Sequence, residues 1–193
     1  MSALTLVLAT RNEHKLREFR RLAAGSPITV VALPDSVTLP PEDGETFADN
    51  ALGKARAAAE QLGRTVIADD SGIESEALGG APGVRSARYA GEHATDEENL
   101  AKLLREAPAG SGLRYVCALA YVDPNAGVEE MFVGECRGQL APAPRGEGGF
   151  GYDPAFVSPL HPGQTMAQLS DASKDAISHR GEAVRALLAW LHA

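Results

Sequence analysis

The sequence predicts an α/β fold: one long mixed sheet with helices interleaved along it, its two ends forming lobes. Three observations lead there. The continuous apolar run Leu4-Thr5-Leu6-Val7-Leu8-Ala9 suits a strand buried on both faces, and it leads straight into a helical pattern. A second short apolar run, Ile67-Ala68, ends in Asp69-Asp70-Ser71-Gly72, so that a strand delivers acidic groups to its carboxyl end, where parallel α/β sheets place ligands. Farther on, residues 114–122 and 128–137 are β-runs joined through Asp123-Pro124-Asn125-Ala126-Gly127, a hairpin-type connection.

The first strand gives way to Thr10-Arg11-Asn12-Glu13-His14-Lys15, a strand-to-helix junction. Backbone N–H groups at a helix start attract phosphate, and Asn12 and Lys15 add a donor and a point charge. The glycines of a P-loop are missing, and a merely capped helix start explains the turn equally well. The helix has apolar positions at Leu16, Phe19 and Leu22, and residues 28–33 form the next strand. Residues 34–44 are Pro-rich and acidic and contain little that can pack, as a mobile or functional loop does. Just upstream of the next helix, Glu42, Asp43 and Glu45 offer a carboxylate to a cation or form a solvated acidic loop. A helix over 46–62 starts on a capping-box-like Thr46 and Asp49 and stops at Gly63. Asn50 and Lys54 share one of its faces among alanines suited to close packing. Lys54 there either meets a ligand or snorkels to solvent.

The strand at 65–69 follows. Neighbouring strand side chains point to opposite faces, so Asp69 and Asp70 should not do the same job. One can reach a cleft to hold a hard cation or a water while the other braces the turn, although such a pair alone also reads as a turn signal. Residues 77–90 are glycine-rich and loop-like, and Thr95-Asp96-Glu97-Glu98 opens a helix to Arg105. After the hairpin, the loop at 142–154 holds Phe150 and Tyr152 among glycines. That arrangement suits stacking on a planar ring, and equally an aromatic plug over the core. In 170–181, helical spacing brings Lys174 near Ser178, and His179-Arg180 adds donors that suit ring carbonyls or cap a helix end. The terminal helix presents Ala183, Val184, Leu187, Leu188 and Leu191 on one face.

No repeat, low-complexity tract or interdomain linker interrupts the chain, which reads as a single domain over 1–193 with two lobes. A composition 44% hydrophobic and 23% charged is that of an ordinary globular protein. The formal charge of −8 argues against a nucleic-acid surface. Local lysines and a divalent cation can still bind a small polyphosphate. Cys117 and Cys136 lie in apolar runs without CxxC spacing, as buried thiols of a reducing compartment do. No signal peptide or membrane span is expected, which makes the cytoplasm the default. No Ser-His-Asp, Cys-His or zinc spacing is present.

In order along nearly the whole chain, seven segments resemble the non-canonical purine nucleoside triphosphate pyrophosphatase (inosine/xanthosine triphosphatase) family. They are Leu8-Ala9-Thr10-Arg11-Asn12-Glu13-His14-Lys15; Glu42-Asp43-Gly44-Glu45-Thr46-Phe47; Asp49-Asn50-Ala51 with Lys54-Ala55; Ala68-Asp69-Asp70-Ser71-Gly72; Gly79 to Val84 with Ser86-Ala87-Arg88-Tyr89; Gly149-Phe150-Gly151-Tyr152-Asp153-Pro154; and Ser178-His179-Arg180-Gly181. The resemblance implies an elongated mixed sheet, an active-site cleft between two lobes, a homodimer, and Mg²⁺-dependent hydrolysis of ITP, dITP and XTP to monophosphate and pyrophosphate. It assigns the triphosphate to Thr10, Arg11, Asn12, Glu13, His14, Lys15 and Lys54. Glu42 and Asp70 serve the metal, Asp70 is also the catalytic base, and Ser71 contacts substrate. Phe150, Gly151, Tyr152, Asp153, Lys174, His179 and Arg180 form the purine pocket. Some relatives carry two consecutive acids before the glycine-threonine segment. Pro41 stands at the first of those positions here, which leaves the metal role open among Glu42, Asp43 and Glu45. Two rivals remain: a related house-cleaning pyrophosphatase for pyrimidine or other modified nucleotides, and a non-catalytic nucleotide sensor.

Overall fold

The computed structural model describes residues 4–192. Six strands form one sheet in the order β2-β1-β3-β4-β5-β6: β1 (Leu4–Leu8), β2 (Ile28–Ala32), β3 (Val66–Ser75), β4 (Gly112–Asp123), β5 (Val128–Leu140) and β6 (Phe156–Val157). The helices are α1 (Glu13–Leu22), α2 (Phe47–Leu62), α3 (Asp96–Glu106), α4 (Asp171–Ile177) and α5 (His179–Leu191). The sheet is mixed, as expected. β1 runs parallel to both β2 and β3, and β6 pairs antiparallel with β5. The short link between β4 and β5, turned by Asp123 accepting the amides of Asn125 and Ala126, can join only antiparallel neighbours.

The chain divides into two compact units, and the division falls inside β3, β4 and β5. The first unit runs to Asp70 and adds Cys117–Gly134 and the segment from Arg180 onward. Leu6, Val7 and Leu8 have no exposure, so the second half of β1 is buried on both faces as its apolar run suggests, while Leu4 and Thr5 at its start are exposed. Phe19 and Leu16 of α1, Ile67 of β3, Leu119 of β4 and Ala183, Val184 and Leu187 of α5 complete its core. The second unit comprises Ser71–Val116 and Glu135–His179, with a core of Ile73, Leu103, Leu113, Tyr115, Phe156 and Met166 among others. Cys117 and Cys136 are both buried thiols, and burial followed by the nearby Asp69 charge pushes the Cys117 thiol up to about 12, which keeps it unreactive. No helix among the described residues is long and apolar enough to cross a membrane.

Four local expectations need correction. The strand expected over 65–69 continues through Asp70-Ser71-Gly72 to Ser75: Gly72 is not among the glycines with positive φ and stays extended, so it does not break the ladder. Residues 77–90 are partly ordered as short 3₁₀ turns at Glu76–Leu78 and Gly83–Arg88. The region after the glycine-rich loop holds the two-residue strand β6, too short to leave a pattern in sequence. Residues 170–181 are two helices instead of one, because Ser178 at the end of α4 takes an extended backbone.

Candidate active site

In the first unit the site is built around two aspartates on opposite faces of β3. Leu8, the last residue of β1, pairs with Ile67, so Asp69 and Asp70 lie just past the end of their neighbour although their own strand continues. Asp69 has no exposure, and its Oδ2 lies 3.0 Å from Lys15 Nζ and 3.3 Å from Arg180 Nη2. Burial alone would raise its pKa, but the charges of Lys15, Arg180 and Lys54 outweigh it and hold the carboxyl well below the usual range. Asp69 is therefore a fixed anion that organises cations; no turn follows for it to brace, because β3 continues to Ser75.

Asp70, 6% exposed, accepts a hydrogen bond from Asn50 Nδ2 at 2.8 Å. Its pKa is raised, first by burial; Lys54, Lys15 and the Asn50 bond oppose the rise, and the nearby Glu42 charge adds to it. A carboxyl poised upward while facing two ammonium groups suits proton acceptance better than permanent charge.

The turn into α1 is first of all a helix cap. Asn12 Oδ1 accepts the amides of His14 at 2.9 Å and Lys15 at 3.1 Å, and the Asn12 amide in turn bonds Thr10 Oγ1. Glu13 and His14 are exposed, His14 lying against Arg17. Arg11 reaches the carbonyls of Leu33, Pro34 and Val37, the last at 2.7 Å, and so pins the start of the acidic loop. Lys15 is thus the charge of this segment delivered to the aspartates.

Helix α2 carries the partners from the other side. Thr46 and Asp49 close the expected capping box, and Gly63 ends the helix at φ 59°. Lys54 does not snorkel to solvent: it is buried, donates to the Asp69 carbonyl at 2.7 Å, and pairs with Glu42. Burial would lower its pKa, yet the carboxylates of Asp69, Glu42 and Asp70 raise it, so it stays an ammonium. Of the loop acids left open by sequence, Glu42 is the one at Lys54, while Asp43 and Glu45 are exposed. Asn50 accepts the Gly44 amide at 2.8 Å through Oδ1 while donating to Asp70, which ties the loop to the carboxyl. A side chain at Gly44 would lie 2.7 Å from that oxygen.

Arg180 is 2% exposed and lies between Asp69 and Glu18, both in this unit. The donors that the resemblance assigns to the purine are here engaged by carboxylates, and those charges raise the guanidinium pKa against the effect of burial. Sequence reading missed Glu18, a buried acid on α1; its only signal is the three-residue spacing from Lys15 along one helix face.

The second unit holds the remaining residues. Ser71, partly buried, begins it on β3. Asp153 is buried and accepts Lys174 Nζ at 2.6 Å, the Phe150 amide at 2.9 Å and the Tyr115 hydroxyl at 3.2 Å. Lys174 also lies 5.2 Å from the centre of the Phe150 ring, a cation–π contact. Gly149 must be glycine: its φ is +69°, and a Cβ would fall 2.1 Å from Asp153 Oδ2. The Gly151 amide is held by Asp96 at 2.8 Å. Tyr152 is 6% exposed and donates to the Ser86 carbonyl at 2.7 Å, whereas Phe150 is only half-buried. Of the two aromatics, Phe150 is thus the more exposed. Lys174 reaches Asp153 from α4, and His179 opens α5. Sequence gave no sign of Tyr115 or Asp96 as partners.

The chain matches the model of the Ham1 family over residues 6–190. A Frankia alni protein named dITP/XTP pyrophosphatase is 50% identical, with 97% of each chain covered. A Geobacillus kaustophilus protein of the same name is 49% identical over 94% of this chain and 91% of its own. Among solved structures, a HAM1 protein from Coxiella burnetii superposes with a TM-score of 0.87 at 39% identity, covering 98% of both chains. A nucleoside-triphosphatase / dITP/XTP pyrophosphatase from Mycobacterium abscessus gives 0.71 at 41% identity, covering 96% of this chain and 99% of its own.

Proposed function

Because the chain belongs to the Ham1 family, we propose that it is a nucleoside triphosphate pyrophosphatase that hydrolyses dITP, XTP and ITP to the monophosphate and pyrophosphate. The observation that carries this reading is the Asp70 carboxyl, raised by burial, braced by Asn50 and set among Lys54, Lys15 and Glu42. Hydrolysis at a phosphoanhydride needs a base for water and positive charge for the phosphates, and this cluster supplies both.

A divalent cation fits the donor set. Glu42 and Asp70 are close enough for the Glu42 charge to disfavour ionisation of Asp70, and a cation between them relieves that repulsion. Among the described residues no group of three or more His, Cys, Asp or Glu side chains could hold a metal. Glu42 and Asp70 are the residues that would hold the ion, one or two carboxylates being the usual protein contribution to a Mg²⁺ site. When bound, Mg²⁺ supplies charge neutralisation on the phosphate oxygens.

In this reading Asp70 takes a proton from the water that attacks the α-phosphorus, while Asn50 fixes its orientation. Lys15 and Lys54 hold the triphosphate, helped by the Thr10 to Lys15 turn, and Asp69 keeps both ammonium groups in place. Ser71 contacts the substrate. Phe150 stacks on the purine, and Lys174 and His179 recognise its 6-oxo group, which an adenine amino group cannot replace, while Arg180, held by Asp69 and Glu18, keeps the Asp69 anion in place. The proposal includes a homodimer working in the cytoplasm. A panel of nucleoside triphosphates assayed for pyrophosphate release tests it. Release from dITP and XTP well above dATP and dCTP, abolished by EDTA and restored by Mg²⁺, is expected. Equal release from all four, or none, contradicts it.

A further inference from the structure

Tyr115 of β4 lies outside every role assigned above. It is 6% exposed, and its ring stacks on the His179 ring at 4.6 Å between centroids with an interplanar angle of 7°. Phe156 packs against it at the same centroid separation, tilted by 33°. Its hydroxyl donates to Asp153 Oδ1 at 3.2 Å, on the carboxylate whose other oxygen receives Lys174 and the Phe150 amide. A phenylalanine would fill the apolar space equally well, so the hydroxyl is the part of this side chain that packing does not require. One tyrosine thus touches two residues of the proposed purine pocket through different atoms: the face of His179 and the carboxylate of Asp153.

We propose that Tyr115 is a positioning residue for that pocket. Its ring sets the plane of the His179 imidazole, and with it the direction in which the ring nitrogens point. Its hydroxyl is one of the donors holding Asp153, which in turn holds the Phe150 backbone and the Lys174 ammonium. Neither atom touches substrate; both fix groups that would. The inference rests on the purine-pocket reading of Phe150, Lys174 and His179.

The test is steady-state kinetics of Tyr115→Phe and Tyr115→Leu with dITP and dATP, each below its own melting temperature. Tyr115→Phe loses only the hydroxyl, and KM for dITP is expected to rise by about 3–10-fold with kcat within about twofold. Tyr115→Leu also loses the stack; KM should rise by at least about tenfold and the dITP-over-dATP preference should fall. The His179 ring protons, shifted by the tyrosine ring current, should keep their shift in Tyr115→Phe and lose it in Tyr115→Leu. If melting temperatures fall while KM for dITP and the preference stay at wild-type values, Tyr115 is a core residue only and the inference is overturned. Should Tyr115→Leu fail to fold, the KM of Tyr115→Phe decides alone. Wild-type protein that hydrolyses no 6-oxopurine triphosphate sinks the functional reading and this inference with it, whereas active wild type with unaffected variants sinks this inference alone.

Discussion

Asp70 sits where burial and the Glu42 charge favour its protonated form and Lys54, Lys15 and Asn50 favour its ionised form, with the balance tipped upward. In the unfolded chain an aspartate titrates near about 3.9. Because the folded pKa is higher, the folded state binds more protons between the two values, and stability falls as pH rises through that window. Above it the ionised carboxyl remains a destabilising element. Asp70→Asn keeps an acceptor for Asn50 without the charge, so turnover should drop by about 10²–10⁴-fold while the urea midpoint at pH 7 is equal or higher. A large fall in the midpoint would mean that Asp70 is a structural anion instead. The same shift places the acid limb of the kcat/KM profile above the ordinary aspartate range, and a limb at or below about 3.9 would argue for another base. That Asp69 and Asp70 point to opposite faces of one strand was legible from strand alternation alone. The burial of Glu18 was not: a glutamate on a helix is ordinarily solvated, and its pairing with the distant Arg180 makes that burial tolerable.

At the scale of elements, α2 shows what local sequence can carry. Thr46, Asp49 and Gly63 mark its ends by capping chemistry that needs no tertiary contact. Thr46→Ala should cost about 1 kcal/mol of stability, read by urea unfolding, and leave kcat within about twofold, because the cap lies outside the Asn50–Asp70 linkage. Gly44→Ala should do the reverse. Its methyl group would collide with Asn50 Oδ1, and the displaced amide would no longer orient Asp70. Turnover should fall by about tenfold with little change in melting temperature, and unchanged kcat would remove Asn50 from the account. Other boundaries were illegible for physical reasons. Ser71-Gly72 looks like a strand stop, yet the backbone there stays extended within the sheet. Ser178 carries no helix-breaking signature, yet it separates α4 from α5. β6 has only two residues and exists through its pairing with β5.

Over the whole molecule, the α/β class and the mixed sheet followed from apolar runs and one short hairpin connection. Two lobes were expected, but where the chain divides into two compact units could not be read, since the division cuts through β3, β4 and β5 and depends on pairings distant in sequence. Candidate site residues scattered from Thr10 to Arg180 could be named from sequence because each lies in a short motif. Tyr115 and Asp96 have no such motif and emerged only from contacts. The acidic net charge of −8 coexists with a polyphosphate substrate because Lys15 and Lys54 concentrate positive charge at the aspartates. The central claim, that water activated by Asp70 attacks the α-phosphorus, is tested most directly by hydrolysing dITP with Mg²⁺ in H₂¹⁸O and locating the label. The account predicts ¹⁸O in the deoxyinosine monophosphate and none in the pyrophosphate. Label in the pyrophosphate, or deoxyinosine diphosphate with labelled orthophosphate, would contradict it.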